Sequence, residues 1–157
     1  MVFGTKLPRR HQLNRFIHSP EWNIAIFAFL LNFFWEVQQM RFFLLPSDLS
    51  CQERVTNCTL ATVGDVGIAL LAFWTVAAIA QSRQWLRRPN VQRMGIFVLV
   101  GVVVTVVFEL FATGILNLWQ YADTMPIVPL LGTGALPFLQ WVLVPPLVVW
   151  FARRHLV

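Results

Sequence analysis

The sequence predicts an all-α integral membrane protein, a bundle of four transmembrane helices with both termini cytoplasmic. Three observations predict it. The 157-residue chain is 57% apolar and only 12% charged, where soluble chains carry about 25% charged residues. Its apolar residues gather in four runs, each near the roughly 20 residues that cross a bilayer core. Its basic residues flank those runs on alternate sides, as the positive-inside rule writes orientation. A disordered tail, a collagen-like chain and a soluble enzyme with a charged surface are excluded by this composition. The sequence pI of about 10.6 does not point to nucleic acid. The 12 Lys and Arg, against 7 Asp and Glu, stand in short clusters beside apolar runs, and no nucleic-acid-binding motif accompanies them.

The elements follow in order. Residues 1–20 form a basic cytoplasmic segment with Lys6, Arg9, Arg10, His11, Arg15 and His18, closed by Pro20. A cleaved signal would continue into a short apolar core and a small-residue site. Here the apolar stretch runs instead into Trp35, Glu36, Gln38 and Gln39, so a retained first span is expected over 22–45, ended by Pro46. The second span is expected over 59–81, followed by a basic loop with Arg83, Arg87, Arg88 and Arg93. The third, over 94–118, carries Glu109 as its single charge. Pro126, Pro129, Gly132 and Gly134 predict a compact turn-rich loop over 119–134. The fourth span, over 135–150, contains Pro145 and Pro146, which predict a kink or break. The transmembrane domain is thus expected over 21–152 and a basic tail over 153–157, with Arg153 and Arg154.

Orientation rests on the loops. The 46–58 and 119–134 loops hold Asp48, Glu53, Asp123 and one base, Arg54. Four spans in a bacterial inner (plasma) membrane, termini in the cytoplasm, satisfy every loop at once. Cys51 and Cys58 both fall in the first outward loop, where an oxidising compartment permits a disulfide. That bridge is the expectation, and two unpaired thiols are the alternative. Asn57-Cys58-Thr59 matches a glycosylation sequon, but it lies too close to the membrane to be read as one.

Carboxylates inside a membrane are costly, and each is by default a functional hypothesis. Three occur: Glu36, Asp65 and Glu109. At 1.5 Å of rise per residue, Glu36 lies about 15 Å before Pro46 and Glu109 about 13 Å before Leu118. Asp65 lies about 9 Å inside the start of its span. The helices alternate in direction, yet all three acids reach the outer half of the bilayer. Asn32, Glu36 and Gln39 share one helical face. Thr62, Asp65, Ala69 and Ala72 form a small-and-polar stripe on the second helix, and Gly101, Thr105, Glu109, Ala112 and Thr113 another on the third. Such faces approach closely in lipid and should point inward, with Gln140 of the fourth span completing the ring.

The expected site therefore has Glu36, Glu109 and Asp65 as catalytic candidates, and Asn32, Gln39, Thr105, Gln140 and Trp141 as ligand contacts. The structural alternative pairs Arg41 with Asp65 and treats Asn32, Gln39, Thr105 and Gln140 as interhelical glue. Trp22, Trp35, Trp119, Tyr121 and Trp141, near span ends, suit interfacial anchoring. No metal and no cofactor is expected. His11, His18 and His155 all lie outside the spans, which excludes a bis-His haem, a His-box di-iron site and a His-based zinc hydrolase. No Glu-x-x-His pair, Gly-x-Ser-x-Gly elbow, P-loop or Rossmann fingerprint is present.

The run Asn32-Phe33-Phe34-Trp35-Glu36-Val37-Gln38-Gln39-Met40 resembles the first span of a group of small bacterial four-span membrane proteins. Cys58, the Gly64-Asp65 pair and Glu109 resemble that group too. So does the stretch Trp119-x-Tyr121-x-x-x-Met125-Pro126-x-x-Pro129-x-x-Gly132-x-Gly134-x-x-Pro137-x-x-Gln140-Trp141. The resemblance covers most of the chain after residue 20 and implies a four-span fold without an attached activity. At the level of layout the chain is also similar to the EXPERA group of sterol isomerases and sigma-2-type receptors, and to membrane-embedded meroterpenoid cyclases with an acid after Trp in a span. Those similarities imply a pocket for an apolar ligand; the histidine that sterol isomerases place in theirs has no counterpart in these spans.

Two functional readings follow. In the first, an outward-opening, carboxylate-lined pocket takes an apolar lipid or isoprenoid and performs acid/base isomerase or cyclase chemistry. Glu109 is the acid, Glu36 the base and Asp65 the orienting group, because hydrocarbon favours the neutral form of a carboxylic acid. In the second, the chain is a non-enzymatic accessory subunit of a larger photosynthetic or respiratory membrane complex. Its 14 Phe and 7 Trp would then contact pigment, quinone, lipid or partner subunits.

Overall fold

A computed structural model describes residues 18–46 and 48–156. Four helices dominate it, and among the described residues no strand forms beyond two isolated bridges, Phe43 with Tyr121 and Ile127 with Gly134. Helix α1 spans Pro20–Gln39 and runs into a 3-10 turn, Met40–Phe42. The Ser19 side chain caps its start, accepting from the Trp22 N–H at 3.2 Å, and Pro20 sits at the first position, where its missing N–H costs nothing. Phe43 to Leu45, expected to be helical, lie outside the helix instead, with Phe43 extended and paired with Tyr121.

Helix α2, Cys51–Ile79, begins eight residues before the expected start at Thr59. The cause is a capping box. Ser50 Oγ accepts from the Glu53 N–H at 3.3 Å, and Glu53 Oε2 accepts from the Ser50 N–H at 2.8 Å. This pair satisfies two otherwise orphaned donors. The expected Cys51–Cys58 bridge is thereby overturned. Both cysteines are free and lie on one rigid helix, seven residues or about 10.5 Å of rise apart, whereas a disulfide spans about 4.4–6.8 Å between Cα atoms.

After a 3-10 turn, Arg83–Arg87, helix α3 spans Val91–Leu110, capped by Asn90 Oδ1 accepting from Arg93 N–H at 2.8 Å. It widens into a π turn, Phe111–Ile115, with Leu116 N–H donating five residues back to Phe111 at 2.8 Å. Such widened turns recur at functional sites. Helix α4, Ala135–His155, passes through Pro145 and Pro146 without the expected break and continues five residues beyond the expected end at Trp150. The two prolines withhold donors from the carbonyls of Trp141 and Val142, but buried Val144, Pro145, Val148 and Val149 pack the helix on both sides of the gap. Arg153, Arg154 and His155 form its last turn, where cations suit the helix dipole.

Each helix packs on its neighbours in sequence and α1 closes on α4, giving a four-membered ring. Its core includes Ile24, Ala28, Phe73, Phe97, Val144 and Val148. Trp85 and Leu86 plug the basic end, and the Trp85 indole donates to the Phe73 carbonyl at 3.3 Å. The outer face is apolar as well: Leu30, Phe34, Leu60, Leu99 and Leu143 are all exposed, as on helices solvated by lipid. Three helices, Cys51–Ile79, Val91–Ile115 and Ala135–His155, are long and apolar enough to cross a membrane, so the chain reads as a multi-pass membrane protein. Helix α1 carries Asn23, Asn32, Glu36 and Gln39 and is not among them.

Candidate functional site

Gln140, in the second turn of α4, is the hub of a buried polar cluster. Its amide nitrogen donates to Asn32 Oδ1 at 2.9 Å, to Asp65 Oδ2 at 2.8 Å and to Glu36 Oε1 at 3.3 Å. An amide has two hydrogens, so three acceptors from α1 and α2 share two donors and Glu36 holds the longest contact. Gln39 compensates, donating to the same Glu36 oxygen at 2.7 Å and reaching Gln140 Oε1 at 3.5 Å. Gln39 is itself oriented by the Trp35 indole, which donates to its Oε1 at 3.1 Å. Asn32 spends its own amide on the Ala28 carbonyl at 2.9 Å. Helical spacing produces this arrangement: Asn32, Glu36 and Gln39 are one face of α1, and Asp65 extends the Cys58–Thr62 face of α2.

Gln140, Asn32, Gln39 and Asp65 are all buried, and Glu36 is half-buried. Among the described residues no acceptor of the cluster is buried without a partner.

Glu109 forms an adjacent centre. Its Oε2 accepts from the Tyr121 hydroxyl and, at 3.4 Å, from the Trp119 indole. No described hydrogen bond joins it to Glu36. Tyr121 is fixed by backbone pairing with the end of α1, since Leu44 N–H donates to Gln120 and Ala122 N–H to Phe42, both at 2.9 Å. Burial, and then the bond to Glu109, hold the Tyr121 phenol above its ordinary pKa. The rest of the loop is compact: Val128 N–H donates to Thr133 and Ala135 N–H to Pro126, at 2.9 and 2.7 Å.

The structure therefore brings Asn32, Glu36, Gln39, Asp65 and Gln140 together and leaves Glu109 alongside them. Thr105 and Trp141 are buried nearby with no hydrogen-bond partner among the described residues. The alternative Arg41–Asp65 ion pair does not form. Arg41 is exposed with its guanidinium over the Phe42 ring at 4.9 Å, and the described ion pair is Arg83–Glu21, at 2.5 Å at the basic end. Trp35, Trp119 and Tyr121, read from sequence as interfacial anchors, also hydrogen-bond polar side chains of the site. The Trp35–Gln39 spacing of four residues was the available signal; nothing in the loop sequence ties Trp119 or Tyr121 to Glu109. Among the described residues no three His, Cys, Asp or Glu side chains are grouped to hold a metal ion.

Comparison with protein-family models, with curated proteins and with solved structures finds no match to this chain.

Proposed function

We propose that the chain is a four-span protein of a bacterial plasma membrane, termini cytoplasmic, whose carboxyl–amide cluster is an acid/base site for an apolar lipid or isoprenoid entering from the outer leaflet. The observation that carries this reading is the convergence of Glu36 and Asp65, from different helices, on the single amide nitrogen of Gln140. In this reading one carboxyl group, protonated, gives its proton to an alkene carbon of the substrate. The other, ionised, takes a proton from the carbon next to the resulting cation, which moves the double bond or, once a second alkene has added to the cation, completes a ring closure.

The geometry favours Glu36 and Asp65 as the exchanging pair. Glu109, engaged by Tyr121 and Trp119, adds its charge to the cationic transition state. This differs from the expectation that Glu109 is the acid. Helix α1 crosses as the fourth span because its polar face is turned onto α2 and α4, leaving Leu30 and Phe34 for lipid.

The test is extraction in mild detergent followed by mass spectrometry of retained lipids and proteins, for the wild type and for Glu36→Gln and Asp65→Asn. A neutral lipid retained by the wild type and lost, or no longer converted, by both folded variants supports the site. Obligate co-purification with other subunits, indifferent to the substitutions, would establish the accessory-subunit reading instead.

A further inference from the structure

Two arginines at the basic end of the bundle lie over tryptophan rings. The Arg83 guanidinium is 5.1 Å from the Trp74 ring centroid on α2, and that of Arg154 is 4.4 Å from the Trp150 centroid on α4. The two cations differ in what balances them. Arg83 is paired with Glu21 at 2.5 Å. No other acid lies in the first turns of α1, in the connection over 80–90 or in the last turns of α4. Arg154 is exposed, with Arg153 exposed beside it, and among the described residues neither forms an ion pair. The 3-10 turn carrying Arg83 and Arg87 packs on α4, so this end of the bundle holds more cations than one acid can balance.

Arg154 also closes a stripe along the outside of α4. Leu143, Leu147 and Trp150 precede it at intervals of four, three and four residues, which a helix places on one face. All three are exposed, by 45–50%. A helical side chain leans back toward the N-terminus, and Arg154 accordingly reaches back one turn onto Trp150. Its stem covers apolar surface while its charge stands at the polar boundary. Stacking on an indole engages the face of a guanidinium and not its N–H groups. The Arg154 side chain makes no hydrogen bond among the described residues.

We infer that Arg154, with Arg153, holds the phosphate of an anionic phospholipid whose acyl chain lies along Trp150, Leu147 and Leu143. This surface stands apart from the Glu36–Asp65 cluster and does not depend on its chemistry. Guanidinium N–H groups match phosphate oxygens in geometry and charge. The apolar stripe that runs into the cation calls for an amphiphile; a soluble phosphate would leave Trp150, Leu147 and Leu143 uncovered. A choline or ethanolamine headgroup would bring its own cation against Arg153 and Arg154, and a glycerol headgroup brings none. Arg83 over Trp74 is the internal comparison, the same pair of side chains with its charge already balanced by Glu21.

The experiment is native mass spectrometry of the purified full chain, released from micelles holding equal amounts of phosphatidylglycerol and phosphatidylcholine with identical acyl chains. The wild type is expected to retain about fivefold more phosphatidylglycerol, the scale of one basic residue at an anionic surface. Arg154→Gln should bring that ratio within about twofold of unity, while Arg83→Gln leaves it within about twofold of the wild-type value. Trp150→Leu keeps the charge but frees the guanidinium and should lower the ratio about twofold, so either position tests the assignment if one variant does not fold. Equal retention of the two lipids by the wild type overturns the proposal. So does an undiminished ratio in Arg154→Gln, or an equal fall in Arg83→Gln and Arg154→Gln, which would leave only the general field of the basic end. Displacement of phosphatidylglycerol by free glycerophosphate also overturns it, in favour of a site for soluble phosphate.

Discussion

The Tyr121 hydroxyl donates to the Glu109 carboxylate across a turn that has no regular secondary structure. The pairing of Tyr121 with Phe43 extends the contact to the end of α1, so one residue ties α3, the 119–134 loop and the end of α1 together. Tyr121→Phe keeps the ring against Phe43, 5.6 Å between centroids, and removes only the hydroxyl. It should destabilise the protein by about 1.5–3 kcal/mol, the range for hydrogen bonds to charged groups. Thermal unfolding in detergent reads the loss, and faster proteolysis within 119–134 locates it.

Tyr121 also sets an alkaline limit. Its phenol is held above the ordinary value of 10.0, so above pH 10 the unfolded chain gives up its proton before the folded one does. Fewer protons on the unfolded state mean stability falls with rising pH. The contribution is therefore constant through neutral pH and declines above pH 10. Tyr121 is the single tyrosine, so tyrosinate absorbance follows it directly. A midpoint at or below that of free tyrosine would contradict the buried bond, and Tyr121→Phe should make the alkaline decline shallower.

The thiol chemistry is equally specific. Cys51 is exposed at the start of α2 and Cys58 is buried seven residues on. The native protein should alkylate quickly at Cys51 and slowly at Cys58, and reduction should leave its intact mass unchanged. A mass two hydrogens lower before reduction would restore the bridge and unwind the first two turns of α2.

Gly101 is held small by Trp141, whose indole occupies the volume a Cβ would need. Gly101→Ala should cost about 1–3 kcal/mol as an overpacking substitution, despite the better helix propensity of alanine. A neutral or stabilising result in thermal unfolding would mean that α3 and α4 are farther apart than described.

Much of this architecture was legible because helical period alone places Asn32, Glu36 and Gln39 on one face and Thr62, Asp65, Ala69 and Ala72 on another; all are buried save Glu36, which is half-buried. Helix ends were less legible. The Ser50–Glu53 box is present in the sequence, but hydropathy does not register a capping box, so Cys51 and Cys58 read as loop residues rather than as the start of α2. At Pro145 and Pro146 local backbone preference lost to packing on both sides. Tyr121 and Trp119 reach Glu109 through a loop conformation set by Phe43 and Pro126, which no periodicity encodes.

Gln140 supplies the last prediction. Interhelical hydrogen bonds in membranes average about 0.6 kcal/mol, but Gln140 serves Asn32, Asp65 and Glu36 at once, and its loss leaves buried acceptors unpaired. Gln140→Leu should therefore cost about 2 kcal/mol or more, well above one average contact. Asn32→Leu removes one of those acceptors and should cost less on its own. Combined, the two should cost less than their sum by about 0.5 kcal/mol or more, because the second substitution deletes an acceptor the first has already orphaned. Unfolding of the four proteins in one detergent closes the cycle. Strict additivity would mean that Asn32 and Gln140 are not coupled, and that the hub joining Glu36 to Asp65 does not exist as described.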